Sequence, residues 1–453
     1  MFRIIQAAST GLGPRLGHLT LPGRKVIDTP HHLASTSRGV VPHITPDVFA
    51  KSTNINGVYV ALEDFIERTP PPIYNLSPPD GSSPLRRFTA LRDQSLLVVG
   101  ARRTPPVAAP AANPNTADTV AVCTAIGFKA LHFEDYAEIA EHVQPDIVLS
   151  LADIPYGRAL GHKRIEKATD RSIQWLDEHV RARSGSASCE TRGRLFASLL
   201  PVSCANQQYY TESITQHAKT KIAGLAIHDL STLEDLPTAL HNLPRLGLTS
   251  PSTPQELLRH ITLGIDISTI PFITTATDAG IALDFTFPPP RVSSSPQPQP
   301  LGINMWSPDH ATDLSGSVQN CECYACTAHH RAYVQHLLNA KEMLAWVLLQ
   351  VHNHHVIDNF FSGIRASIAK GTFGQEVERF ERAYEMQLPE STGEGPRIRG
   401  YQYKSQGPGE RRKNRPAYNT LDDRQEVRAQ SGPFEPDEDA AALEQQGFAE
   451  KQG

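Results

Sequence analysis

Apolar residues in this chain gather in short unbroken runs: GVYVAL from Gly57, SLLVVG from Ser95, KALHF from Lys129, DIVLSLAD from Asp146, LFASLL from Leu195, AGLAIHDL from Ala223, PRLGLT from Pro244 and GIDISTI from Gly264. A strand with one wet face alternates apolar and polar residues, whereas a strand covered on both faces does not, so these runs predict parallel strands of a buried sheet. Helical periodicity separates several of them. From Arg164 the segment RIEKATDRSIQWLDEHVRA places Ile165, Ala168, Ile173, Leu176 and Val180 on one stripe, and the segment after Ser252 opens with a Thr cap followed by Pro-Gln-Glu. About eight strands with interposed helices predict an α/β fold of the (β/α)8 barrel type, with an open doubly wound sheet as the competing arrangement. Proline-rich stretches at 69–84, 103–115 and 288–300 predict surface insertions or flexible loops, because Pro supplies no backbone donor.

Near residue 389 the periodicity stops and Gly, Pro, Gln and charge take over. Residues 391–429 carry nine Lys and Arg against five acids, and residues 430–453 carry one Lys against six acids. This predicts a solvated, disordered tail over 389–453, within which GERRKNRPAYN is the segment suited to touching RNA. The whole chain of 453 residues nets −5, and the first 390 residues net −4 once the tail is set aside. Grip on nucleic acid by bulk positive charge is therefore excluded for the body. No run approaches the roughly 18–20 apolar residues that span a bilayer, and the start MFRIIQAASTGLG is not of secretory type, so a cytoplasmic address is expected. Six cysteines in so long a chain are no disulfide framework.

Three of those cysteines stand together. Cys321, Cys323 and Cys326 form C-x-C-x-x-C, and thiolates at that spacing can converge on one ion that asks for four soft or borderline ligands, as tetrahedral zinc does. His352 is the candidate fourth ligand. The choice demands a break, since one straight helix from Thr327 to Val351 would run on the order of 37 Å and carry His352 away. Asn339 with Glu342 three residues on has the pattern of a helix start, which predicts one helix over 328–338 and a second, returning helix from about Ala340. His329, His330, His336, His354 and His355 stand as alternatives, most of them better read as polar-face residues. Three cysteines and a histidine fill a tetrahedral site, so the expected role is structural, with one Zn2+ per subunit.

The same segment resembles the tRNA-guanine transglycosylase family, enzymes that exchange a wobble guanine in tRNA for a 7-deazaguanine such as queuine. Family members carry C-x-C-x-x-C, then Tyr-x-His-His-Leu, Asn-Glu-Met-Leu and Leu-x-x-His-Asn. Here stand Cys321, Cys323 and Cys326, Tyr333 with Val334-Gln335-His336-Leu337, Lys341-Glu342-Met343-Leu344, and Leu349-Gln350-Val351-His352-Asn353. Fainter similarity appears at Arg15 to Leu19, Asp28-Thr29-Pro30, Ile44-Thr45-Pro46, Asp146-Ile147-Val148 and Gly264-Ile265-Asp266. The resemblance implies a TIM-type barrel over residues 1–388 that includes a helical zinc-binding subdomain at 301–369.

Active members also carry motifs that this chain lacks. The Ser-Asp-Ser-Gly-Gly-Phe-Gln loop with the proposed general base is missing, and LFASLL continues into Pro201-Val202-Ser203 where Gln-Gly-Gly is expected. In place of Gly-Val-Asp-x-Phe-Asp-Cys, whose second Asp is the nucleophile on ribose, the chain reads from Gly264 to Ile270 with Thr269 at the nucleophile position. Retaining base exchange needs a carboxylate nucleophile and an acid–base partner, and an unactivated threonine hydroxyl replaces neither. The resemblance therefore implies no catalytic residues and the role of a non-catalytic member. Such a member pairs as a heterodimer with a catalytic queuine tRNA-ribosyltransferase subunit and meets tRNA mainly through that complex. It serves guanine-to-queuine exchange at the wobble base of tRNAs with GUN anticodons (Asp, Asn, His, Tyr), and peripheral docking on the mitochondrial outer membrane is implied for some members. Competing expectations are an enzyme using Asp266 or Asp284 as its carboxylate, and a stand-alone zinc-stabilised tRNA-binding protein.

Overall fold

The computed structural model describes residues 2–396 except 10, 69, 79–81, 158–159, 185–192, 219–220 and 291–296. Of the tail predicted over 389–453, residues 397–453, which include the GERRKNRPAYN stretch, lie outside the described residues. The chain opens with an antiparallel sheet, β1 (Phe2–Gln6), β2 (Leu16–Leu19) and β3 (Ile27–Thr29). Strands β4 (His31–Ser35), β5 (Gly57–Ala61) and β6 (Leu96–Gly100) follow, then an antiparallel hairpin of β7 (Thr119–Thr124) and β8 (Gly127–His132). After it come β9 (Ile147–Leu149), β10 (Arg194–Ser198), β11 (Ile222–Ile227), β12 (Arg245–Gly247) and β13 (Ile267–Thr269). Strands β4 to β6 and β9 to β13 pair in parallel, and β13 returns to β4 to close an eight-stranded barrel.

The unbroken apolar runs follow from burial on both faces. On β5, Val58 and Val60 pack outward against the helical layer while Tyr59 joins Phe196 of β10 and Leu246 of β12 inside the barrel. Gly224 on β11 is required by that filling, because a Cβ there would begin 2.5 Å from the Phe196 ring. Two of the sequence expectations change. KALHF is not a barrel strand: it falls in β8, whose residues are mostly part-exposed, as suits a hairpin standing off the barrel. The eighth barrel strand is β4, whose sequence HHLAS hides a fully buried run behind two histidines.

The end of the barrel where the strands begin is sealed by the opening sheet, with Leu19, Leu21 and Ile27 packed against Leu96 and Ile147. Asp266, just before β13, pins that seal. Its carboxylate takes a bidentate pair from Arg15 at 2.7 and 2.6 Å and the backbone N–H of Arg245 at 2.8 Å, all of them buried.

After β13 a helix (Phe272–Asp278) leads into a hairpin of β14 (Ile281–Leu283) and β15 (Gly302–Asn304) and then three helices, Tyr324–Ala328, Arg331–Asn339 and the 28-residue Met343–Lys370. The predicted break is present, but Asn339 ends one helix without capping the next. The chain turns through Lys341 in the left-handed region at φ 56°, and Glu342 precedes the long helix. The long helix is buried on several sides, as an apolar-all-round helix must be. One face meets the hairpin. Another turns His354 and Asp358 toward His32 of β4, whose ring stacks on His354 and Phe361 and whose Nε2 lies 3.7 Å from the Asp358 carboxylate.

Candidate metal centre and barrel mouth

Local sequence brings the three cysteines together. Cys323 caps the helix Tyr324–Ala328, its Sγ accepting from the Cys326 N–H at 3.4 Å, so Cys326 is carried one turn on and back toward Cys321. The returning long helix supplies the fourth donor. His352 Nδ1 lies 3.6 Å from the Cys321 sulfur, 3.5 Å from Cys323 and 3.3 Å from Cys326, and the four donor atoms lie within 4.8 Å of one another. Among the described residues this is the one His, Cys, Asp and Glu group able to hold a metal ion.

The ring's other nitrogen fixes its tautomer. His352 Nε2–H donates to the Leu283 carbonyl at 2.9 Å, which leaves the Nδ1 lone pair facing the sulfurs. Asn353 holds the same strand, accepting the Leu283 N–H at 2.8 Å and donating to the Ile281 carbonyl at 3.0 Å and the Thr277 hydroxyl at 2.9 Å. Hydrogen bonds among the three thiols pull Cys326 far below its ordinary range and push Cys323 above it. Burial opposes charge on the His352 ring, yet contact with Cys321 and Cys326 favours positive charge beside it, which an ion at Nδ1 would supply in place of a proton. The alternative histidines stand elsewhere: His329 stacks on Tyr333 with ring centroids 5.3 Å apart, and His330 caps its helix by accepting the Tyr333 N–H.

The opposite picture holds where the barrel strands end, the face at which TIM-type barrels place their active sites. A cavity of about 40 Å³ remains there, room for on the order of three waters. The space around it is filled by the chain itself. The Tyr59 hydroxyl donates to the Arg102 carbonyl at 2.6 Å, the Arg102 guanidinium lies over the Tyr156 ring at 4.9 Å, and the Tyr156 hydroxyl meets His228 Nδ1 at 3.2 Å. Burial holds the His228 ring neutral, down to about 3. The 103–115 stretch, expected as a surface loop, roofs this end and encloses a second cavity of about 200 Å³ lined by Val107, Pro110, Ile154 and Tyr156.

Carboxylates near this mouth are committed to arginines. Glu63 takes Arg103 at 2.8 Å and the Cys123 N–H at 2.8 Å, and Asp64 takes Arg103 at 3.1 Å. Asp153 takes Arg164 and Arg171 and the Asn115 amide. Burial alone would raise Asp153, but hydrogen bonds from Arg164 and Asn115 hold it below its ordinary value. Thr269 ends β13 fully buried, its hydroxyl 3.4 Å from the Gly247 carbonyl. Neither alternative carboxylate is here: Asp266 is locked at the opposite end of the barrel, and Asp284 follows β14 in the insertion that carries the Cys3His group, where burial raises it. Sequence reasoning did not find Asn353, Tyr59, Arg102, Tyr156 or His228 as functional positions. Of these only Asn353 stood inside a family motif.

Fold and donor cluster together define a (β/α)8 barrel protein with a Cys3His metal clip on an insertion after its last strand. The family model for queuine tRNA-ribosyltransferase matches residues 10–386, and the chain belongs to that family. Its relatives include proteins named queuine tRNA-ribosyltransferase accessory subunit 2. The one from Schizosaccharomyces pombe is 36% identical over 404 residues, covering 88% of each chain. Those from Drosophila mojavensis and Ixodes scapularis are each 27% identical, over 81% and 76% of this chain and 88% and 90% of their own.

Proposed function

We propose that this chain is the accessory, non-catalytic subunit of a heterodimeric queuine tRNA-ribosyltransferase. Its partner would exchange guanine for queuine at the wobble position of tRNAs with GUN anticodons. The observation that carries this reading is the barrel mouth. In a member of a base-exchanging family, the place for a purine is filled by Tyr59, Arg102, Tyr156 and His228, and Thr269 stands where the nucleophile is expected. Among the described residues no carboxylate lines the remaining cavity, so a covalent ribosyl intermediate has no residue to form on. The names of the relatives point the same way.

The reading assigns zinc to the clip, one ion per chain, with Cys321, Cys323, Cys326 and His352 as ligands. Zn–S bonds of about 2.3 Å and a Zn–N bond of about 2.0–2.1 Å at tetrahedral angles put sulfur and nitrogen roughly 3.6 Å apart, close to the 3.3–3.6 Å found. A bound ion would hold the cysteine turn against the long helix and β14. With four protein ligands it takes no part in base exchange. Among the described residues no helix is long and apolar enough to cross a membrane. A cytoplasmic address, with any docking on the mitochondrial outer membrane peripheral, belongs to the same proposal.

The test is an exchange assay with labelled queuine and tRNA, run with the purified chain, with the catalytic subunit, and with both. Exchange is expected only when the catalytic subunit is present, and it should rise when the two co-purify. Exchange by the isolated chain refutes the reading, as does failure of the two to form a complex.

A further inference from the structure

The helix Met343–Lys370 carries a polar stripe that packing alone does not call for. Gln350, His354, Asp358, Phe361 and Arg365 recur at three- and four-residue spacing, so they share one face of the helix. His32 of β4 stands opposite that face. A polar group buried in such a seam is costly unless it finds a partner, and here several find none. Both ring nitrogens of His32, Nδ1 of His354, Oε1 of Gln350 and the hydroxyl of Ser268, which pairs with His32 across β13 and β4, have no hydrogen-bond partner within the protein, in residues 0–2% exposed. Asp358 is the ionisable partner in reach. Its carboxylate lies 3.7 Å from His32 Nε2, too long for a hydrogen bond, yet a movement of about 1 Å makes one.

That bond can be made in two ways. A protonated carboxyl donates to a bare Nε2, and the neutral ring then keeps its own proton on Nδ1, whereas an ionised carboxylate needs the Nε2–H tautomer. We propose that His32 and Asp358 form a proton-operated latch between the barrel and the long helix, in which loss of one proton from the pair switches His32 from its Nδ1–H to its Nε2–H tautomer. The carboxyl proton passes to Nε2 and the Nδ1 proton leaves to water, so the ring stays neutral and the pair ends with one negative charge, on Asp358. Burial keeps the ring uncharged by holding His32 well below its ordinary value, and burial also raises Asp358 to about 7, which places the switch near neutral pH. The charges facing the pair are Arg365 on the same helix, whose Nη1 donates to the Pro30 carbonyl at 2.9 Å, and Lys25 before β3, while Asp28 of β3 faces Arg365. His31 beside the pair on β4 and His354 on the helix are held neutral by burial, each down to about 3. The same helix presents His352 and Asn353 to β14, so the latch ties to the barrel the element on which the Cys3His group is built.

The experiment reads the ring itself. The full chain, isotope-labelled in its histidine ring nitrogens, is followed by NMR between about pH 5.5 and 8.5, beside the variant Asp358→Asn. His32 should pass from Nδ1–H to Nε2–H as pH rises through about 7. The backbone amides of residues 354–361 should exchange with solvent about fourfold faster at about pH 8 than at about pH 6.5, after correction for base catalysis. In Asp358→Asn a single tautomer and a single corrected rate should hold throughout, since the amide has no proton to lose. The His32 signal is assigned by its disappearance in His32→Gln. Should that variant not fold, neutron diffraction from wild-type crystals grown on either side of neutral pH locates the same protons. A ring that keeps one tautomer in the wild type, becomes an imidazolium, or still switches in Asp358→Asn overturns the proposal. A rate that changes with pH while the tautomer stays fixed overturns it too, because Asp358 would then be a buried charge acting without the ring.

Discussion

The metal clip and the barrel mouth are both buried polar clusters, and they solve the same problem in opposite ways. At the mouth the carboxylates are answered from within: Glu63 and Asp64 by Arg103, and Asp153 by Arg164 and Arg171. At the clip three sulfurs and an imidazole nitrogen face one another within 4.8 Å, an arrangement suited to enclosing an ion. A cluster that answers itself is finished as structure, and one that does not is a binding site. On the accessory-subunit proposal, the difference separates a retained scaffold clip from a closed substrate pocket.

The strongest way to break that contrast is at the clip. On the zinc proposal, Cys323→Ser should abolish stoichiometric zinc and unfold the insertion, because metal binding and folding there would be one equilibrium, on the order of 10 kcal/mol for structural zinc. Metal analysis with a thermal melt checks it, and a variant that keeps one zinc per chain and its melting point would erase the distinction. At the mouth the corresponding cut is Glu63→Ala. It strands the Cys123 N–H and leaves Arg103 paired with Asp64 alone, and should cost about 2 kcal/mol in denaturant unfolding, while exchange by the assembled enzyme stays at its wild-type rate. A proportionate loss of exchange would give the mouth a catalytic part.

A smaller effect sharpens the boundary between the two regions, where β4 meets the long helix. Burial raises Asp358 from 3.8 to about 7, with Arg365 and Lys25 opposing. The folded state then holds a proton that the unfolded state has released, so this contribution to stability is complete below about pH 3.8, falls as pH rises toward 7 and is lost above it. Between pH 6.5 and 8 the loss should be roughly 1 kcal/mol, and Asp358→Asn should flatten it. On the acid side His31 and His179, both lowered to about 3 chiefly by burial, act with the opposite sign and remove stability as pH falls below about 6.5. A pH profile that keeps its slope in Asp358→Asn assigns the effect elsewhere. The smallest expected change is none: Thr269→Asp should show no measurable exchange by the isolated chain, since the pocket around it stays filled.

The clip was legible in the sequence because thiolate chemistry is local: three ligands lie within six residues, and the fourth follows from the need for a helix to return. Its support was not legible, since His352 and Asn353 bond to Leu283, 69 and 70 positions away. The barrel was readable from seven buried runs, yet β4 was masked by His31 and His32, and β8 mimicked a core strand because composition does not record which face is wet. The filling of the mouth was invisible for a related reason. Tyr59 comes from β5 and Arg102, Tyr156 and His228 from the segments after β6, β9 and β11, and a missing motif says nothing of what occupies its space.

The contact between Gly393 and Trp306 makes the protein its own optical reporter. Trp175 and Trp346 are each 1% exposed and give a fixed background, whereas the indole of Trp306 is screened from water in part by Gly393, in a segment held down by Asn304 bonding to Thr392 at 2.8 Å and Lys341 pairing with Glu394 at 2.6 Å. Release of that segment would wet the ring and move its emission to the red, so docking can be followed by fluorescence in unlabelled protein, alone and as RNA or the partner subunit is added.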